Sequence, residues 1–142
     1  MDKVIIRKVK KEDYEHIINI FDSLSDEDKK FLALNSKLSF IKQLIKKEHH
    51  CYVATINNKV IGFMRESGRP NNFSLLEEIV IDENYRGLKI APLMLDYYHS
   101  IFKKTMAKTN AKNIKMISLL KKYNYIPLNP DALRIINWER IN

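Results

Sequence analysis

The period of the apolar positions changes along the chain, and the changes mark the elements. Val4 to Val9 is β-branched and bounded by charge, which predicts a strand. Glu12 and Asp13 then open a helix, their charge suited to the positive end of its dipole. Tyr14, Ile17, Ile18 and Phe21 follow at the zero, three, four and seven spacing of one helical face. Ser25-Asp26-Glu27-Asp28 predicts a cap and a short second helix. Leu34, Leu38, Ile41 and Ile45 form a further stripe ending near Lys46-Lys47, with Ser36 as its cap.

From Cys51 the pattern becomes that of strands. Cys51 to Ile56 and Lys59 to Glu66 flank Asn57-Asn58, a hairpin turn signal because Asn tolerates positive φ. Gly68 to Asn72 predicts a loop and Phe73 to Ile81 the next strand. A long helix is expected over roughly Leu88 to Lys104, apolar on the face of Ile90, Met94, Tyr97 and Ile101 and on the adjacent face of Ala91, Leu95, Tyr98 and Phe102. Pro92 is tolerated in a first turn, where no backbone donor is required, so it pins the helix start just before it. Thr105 to Thr109 reads as a short strand, Asn113 to Tyr123 as a helix and Ala132 to Trp138 as a last strand. The order β-α-α-β-β-β-α-β-α-β predicts the α/β (α+β) class, with a mixed, mostly antiparallel sheet flanked by helices on both faces.

Composition narrows the picture. With 142 residues, 45% of them hydrophobic, one domain with its own core is expected over residues 1–142. Three Gly and four Pro exclude a collagen-like or linker-like chain. No window approaches eighteen apolar residues, so no membrane span is expected. Neither is a secretory signal, since Met1 to Arg7 lacks a long apolar stretch. A single cysteine, Cys51, cannot form an internal disulfide, and a reducing, cytoplasmic setting is the simplest reading.

Twenty-five Lys and Arg against 17 Asp and Glu give a net charge of +8, which favours an acidic partner such as a nucleotide cofactor, nucleic acid or a membrane surface. Between Asp96 and Asp131 there is no acidic residue, while Lys103, Lys104, Lys108, Lys112, Lys115, Lys121 and Lys122 fall in that interval. A lysine-rich solubilising face would look the same.

The stretch Ile79 to Ala91 carries the chemistry. A strand runs into a tight loop and then a helix N-terminus, whose first backbone N–H groups lack intrahelical partners and form a site for phosphate oxygens. Arg86 and Lys89 add positive charge, and Gly87 allows close backbone approach. An ordinary strand-to-helix turn containing Arg and Gly is the alternative.

Here the sequence resembles the GNAT superfamily of acyl-CoA-dependent N-acyltransferases. That family's pattern is Arg or Gln, two residues, Gly, one residue, then Gly or Ala; Arg86 takes the first position and Ala91 the last, while Lys89 stands where the middle Gly is usual. Ile5 to Val9 with Glu12-Asp13, the hairpin Tyr52 to Thr55 with Val60 to Phe63, and Asn113 to Tyr125 match the family's order over nearly the whole chain, with Asn124-Tyr125 in place of its usual Gly-Phe. The resemblance implies that the strand of Ile79 and Ile81 pairs its backbone with pantetheine. The N–H groups of Arg86, Gly87, Leu88, Lys89, Ile90 and Ala91 would hold the pyrophosphate. Asn113 would sit near the pantetheine arm, or cap its helix, and Lys122 would reach the adenosine phosphate or remain solvated.

Acyl transfer from a thioester needs a neutral amine and benefits from a proton donor to the leaving thiolate. Many members of the family carry a Tyr seven residues after the Asn that matches Asn113. Leu120 stands there in this chain, and Tyr123 is the nearest tyrosine that follows it. Glu77 and Glu78 are candidate bases. Alternation along a strand would send them to opposite faces, and parity with Ile79 and Ile81 favours Glu77, unless a bulge intervenes. Cys51 reads as a structural thiol, and His16 and His99 fall among polar helix residues. His49-His50 lacks the spacing of a helical metal pair, so no metal is expected.

The function expected is therefore an N-acetyltransferase that moves an acetyl group from acetyl-CoA to a primary amine of a small molecule or protein, working as a monomer or homodimer. The competing readings are a catalytically reduced acyl-CoA-binding regulatory module and a basic nucleic-acid-associated protein. The lysines from Lys103 to Lys122 could also bring such an enzyme near RNA or a ribosome.

Overall fold

A computed structural model describes residues 2–32 and 36–141. Its elements are β1 (Val4–Lys8), α1 (Tyr14–Ser23), α2 (Asp26–Lys30), α3 (Lys37–Lys46), β2 (Cys51–Ile56), β3 (Lys59–Arg69), β4 (Phe73–Ile81), α4 (Ile90–Ile101), β5 (Thr105–Asn110), α5 (Ile114–Lys122), β6 (Tyr125–Pro127) and β7 (Ile135–Arg140). The strands form one sheet in the order β1-β2-β3-β4-β5-β7-β6. Only the β4–β5 pair is parallel, as the intervening α4 crossover requires. The expected mixed, mostly antiparallel sheet is thus observed.

Helices cover both faces. On one, Ile17 and Phe21 of α1 and Phe40 and Leu44 of α3 bury against Cys51, Val53, Phe63 and Val80. On the other, Ile90, Met94, Leu95 and Tyr98 of α4 and Leu120 of α5 bury against Tyr52, Ala54, Ile61, Met64 and Trp138. The Asn57-Asn58 turn has positive φ at both residues, which matches the twist of the hairpin it closes. Asn124 holds φ 69° where α5 ends, as a left-handed C-terminus demands. Ser25 and Ser36 cap α2 and α3, each accepting a backbone N–H.

Several expectations need correction. The stripe assigned to α3 is not its buried face: Leu38 and Ile45 are exposed, whereas Phe40 and Leu44 are buried, and Leu34 lies outside the described residues. The helix offers two apolar faces, and the stacking of Phe40 on Phe21, with ring centroids 4.4 Å apart, decides between them. On α1, Ile20 joins Ile17 and Phe21 in the core, and Tyr14 and Ile18 are only half-buried. His99 is buried rather than among polar surface residues, and its ring hydrogen-bonds the Tyr125 hydroxyl at 2.7 Å. Burial and nearby Arg140 push its pKa down to about 4. The final strand begins at Ile135 rather than Ala132, and β6 is additional. Three residues are too few for a period to register in sequence.

Gly62 lies where β3 and β4 approach closely. A Cβ there would lie 2.9 Å from the Val80 carbonyl oxygen and 2.9 Å from Ile81 Cδ1. Gly62→Ala is therefore expected to lose about 1–3 kcal/mol of stability through overpacking, read as a lower urea midpoint.

Candidate active site cleft

The site begins with one extra residue. Arg65 pairs with Glu78, but the next residue of β3, Glu66, pairs with Leu76, which leaves Glu77 as a bulge in β4. On its other side β4 pairs with β5 only at Ser74 to Leu76. Beyond that point the strands part, and the gap opens into a cleft of about 890 Å³ lined by β4 from Glu77 to Ile81, by Lys108 and Thr109 of β5, and by residues of α2, α4 and α5. Asp82 N–H donates to the Ile61 carbonyl of β3. Because backbone direction alternates along a strand, the peptide groups of Ile79 and Ile81 face the open side instead.

The bulge also decides where the carboxylates go. Glu78 pairs with Arg65. Glu77 accepts from Ser67 Oγ at 2.7 Å and lies 3.9 Å from Arg69. Arg65, Ser67 and Arg69 alternate along one side of β3, so both glutamates point to the same face, the one covered by α1 and α3. The alternation argument, which sent them to opposite faces, fails here because the bulge consumes a residue. Leu76, Ile79 and Ile81 pack together on the α4 side, the parity break expected of that insertion.

The two carboxylates differ in environment. Glu78 is 5% exposed, and its Oε2 has no hydrogen-bond partner among the described residues. Burial raises its pKa, Arg65 opposes that rise, and the charge of Glu77 adds to it. The Arg65 guanidinium is itself fixed over the Phe40 ring, 5.4 Å from the centroid.

The opposite wall is basic. α4 starts at Ile90 without a capping side chain, so its first N–H groups open into the cleft. Gly87 has φ 82° and Lys89 φ 60°, both left-handed. Lys89, which stands where the family's pattern has glycine, therefore holds a backbone that glycine adopts without strain, and it adds a charge there. Of the stretch expected to hold pyrophosphate, Arg86, Gly87, Lys89, Ile90 and Ala91 line the cleft, and Leu88 stands outside it with half its surface exposed. Lys108, Lys112, Lys115 and Lys122 line the same region, so part of the lysine run is gathered at one site. Asn113 also lines the cleft, and its side chain caps α5 by accepting from Met116 N–H at 3.3 Å.

Arg86 turns away from the helix end: its Nε donates to the Ile81 carbonyl at 3.3 Å and its guanidinium meets Asp28 at 3.2 Å. Glu27 and Asp28 of α2 fall in the stretch from Asp26 to Lys47 that the family resemblance puts on the acceptor side, but nothing in the sequence distinguishes them from their neighbours, and their place on the cleft rim does. Tyr123 does not reach the cleft lining. Its hydroxyl donates within the start of α4, 3.1 Å from the Pro92 carbonyl and 3.0 Å from Asp96, and burial with the Asp96 contact pushes its pKa up to about 12. Leu120 is closed within the core. Cys51 is a fully buried thiol whose pKa burial pushes up to about 12. No group of three or more His, Cys, Asp or Glu among the described residues could hold a metal ion, and no helix among them is long and apolar enough to cross a membrane.

A mixed sheet that opens between its central parallel strands, beside an uncapped and basic helix N-terminus, offers phosphate oxygens a place to bind. Residues 12–125 match the acetyltransferase (GNAT) family model, and the chain belongs to that family of acyltransferases. The PaiA N-acetyltransferase of Thermoplasma acidophilum, solved with coenzyme A, superposes with a TM-score of 0.75 at 18% identity, covering 98% of this chain and 99% of that one. An acetyltransferase of Thermus thermophilus gives 0.79 at 11% identity, covering 99% of each. Ard1 of Thermoplasma volcanium gives 0.76 at 15%, covering 98% and 99%.

The left-handed loop makes a measurable claim. A side chain at αL costs about 1 kcal/mol or somewhat more. Lys89→Gly should raise the stability by roughly that amount, read as a higher thermal midpoint, and Gly87→Ala should lower it by a similar amount.

Proposed function

We propose that the protein is an N-acetyltransferase that uses acetyl-CoA and a primary amine acceptor. One observation carries the reading: β4 leaves β5 after Leu76, so the open peptide group of Ile79 and the N–H of Ile81 lead toward the free N–H groups of α4. A pantetheine arm is an extended amide chain ending in phosphates, and this edge followed by this helix terminus offers it the matching donors and acceptors in order. Lys89 and Arg86 supply charge to the pyrophosphate, Lys122 to the adenosine phosphate, and Asn113 a polar contact near the arm. Bound acetyl-CoA supplies an acetyl thioester whose C–S bond breaks as the amine nitrogen forms the amide, the sulfur leaving as the thiol with a proton from that nitrogen.

Glu78 is the base. The amine arrives as an ammonium and must lose a proton before it can attack. Glu78 lines the cleft and burial raises its pKa, which makes it a better acceptor at neutral pH than an ordinary carboxylate. Glu77, engaged by Ser67, assists by its charge. Tyr123 has no part in the chemistry, because its hydroxyl is committed at the start of α4. The thiolate takes its proton from the amine or from water.

CoA is expected to bind in the micromolar range, at about −8 kcal/mol, with affinity that falls as salt rises. Arg86→Ala should weaken it by about 1–3 kcal/mol in isothermal titration. No heat and no thermal shift at millimolar CoA would reject the reading. With any accepted amine, kcat should rise with pH through an ionisation above the usual carboxylate range. Glu78→Gln should remove that limb and lower kcat by about a hundredfold or more while CoA affinity holds. The same change at Glu77 should leave the limb in place.

A further inference from the structure

The position of Arg65 is an unusual one for a cation. Its side chain is 11% exposed, on the sheet face that α1 and α3 cover with apolar residues. Its backbone lies between Cys51 of β2 and Glu78 of β4. A guanidinium is costly to withdraw from water unless it is paired, and it is suited to such places because it is flat and stacks on rings. Both conditions are met. Its Nε donates to Oε1 of the buried Glu78, and its central carbon lies over the Phe40 ring, 5.4 Å from the centroid. Phe40 has little room to yield, because it stacks on Phe21 of α1 at 4.4 Å and tilts against Phe63 of β3 at 5.4 Å.

Three layers therefore converge on one carboxylate. Phe21 holds Phe40, Phe40 holds the guanidinium, and the guanidinium holds Oε1 of Glu78. Oε2 has no hydrogen-bond partner among the described residues. A carboxylate gripped by one oxygen is fixed in rotation while the other stays uncommitted. The charges that act on it are those of Arg65 from β3 and Glu77 from its own strand. Cys51 of β2 is a neutral thiol, and Phe21 of α1 and Phe40 of α3 bring no charge. Lys108 of β5 and Glu27 and Asp28 of α2 line the same cleft. Burial and Glu77 favour the neutral acid at Glu78, and Arg65 opposes them.

We propose that Arg65 is the positioning residue for the base: braced by Phe40, it orients the Glu78 carboxylate and supplies its counter-charge. This rests on the acetyltransferase reading and concerns how that site is tuned. A glutamate already protonated when the amine arrives cannot take the ammonium's proton, so a buried Glu78 without its partner would be idle at neutral pH. A lysine at position 65 would bring the charge without the flat face that stacks on Phe40.

The test keeps the two readings apart. CoA titration and thiol release by the unaltered protein report on the acetyltransferase reading. Arg65 is read in the pH profile of kcat with an accepted amine, and in a 13C NMR titration of the Glu78 carboxyl, assigned by its loss in Glu78→Gln, which needs no substrate. Arg65→Gln should move the low-pH limb of kcat and the carboxyl titration upward together by about one to three pH units, the usual effect of one close opposite charge. At neutral pH kcat should fall by about tenfold or more and recover as the pH is raised, with CoA affinity held. Arg65→Lys, which keeps the charge without the stack, and Phe40→Leu, which keeps the guanidinium without the ring, should each move both readouts the same way by a smaller amount. These two carry the test if Arg65→Gln does not fold. A limb that stays in place, a loss of kcat equal at every pH, or a Glu78 titration indifferent to Arg65 and Phe40 would overturn the proposal, whether or not CoA binds.

Discussion

The insertion of Glu77 into β4 is the constraint on which the rest of the site depends. A single unpaired residue lets β4 stay hydrogen-bonded to β3 through Ile81 while it parts from β5 after Leu76. The parting exposes a row of peptide groups in the middle of a sheet, where unpaired polar backbone would otherwise be costly. It also turns Glu78 onto the face of Glu77. The opened edge of β4 and the placement of both glutamates therefore share one local cause.

Around that opening lie both signs of charge, the lysines of β5, α4 and α5 and the carboxylates of α2 and β4. Arg86 links the loop before α4 to α2, tied both to the Ile81 carbonyl and to Asp28. The link is exposed, so it contributes little to stability and can exchange partners readily. Lys89 illustrates a related compromise. A lysine held at φ 60° gives up some backbone comfort, yet it presents the same amide as a glycine and places a cation beside it.

Both faces of the sheet are covered by helices of different kinds. α1 and α3 close one face through Phe21, Phe40 and Phe63, with Arg65 laid across the Phe40 ring. The aromatic stack thus fixes the partner of Glu78 as well as the core. On the other face Tyr98 is buried with its hydroxyl donating to Ser74, which in turn donates to Glu66. That chain anchors the start of β4 just before the bulge, so the strand bends at a defined place.

Much of this was legible in the sequence. β-branched runs, the Asn57-Asn58 turn, Pro92 and the serine caps determine most elements, because each acts through the backbone of its neighbours. The order of elements determined the mixed sheet, and Arg86 to Ala91 marked the helix end that opens on the cleft. What tertiary structure alone decided depends on residues far apart in the chain. Which stripe of α3 is buried rests on Phe21, nineteen positions before Phe40. Whether Glu77 and Glu78 share a face rests on the register of β3, since a strand's own alternation is blind to a residue its partner skips. That His99 is buried and Tyr123 turned from the cleft follows from packing of α4 against β6 and α5. Local sequence sets local conformation; register and burial belong to pairs of elements, and the site is made of those.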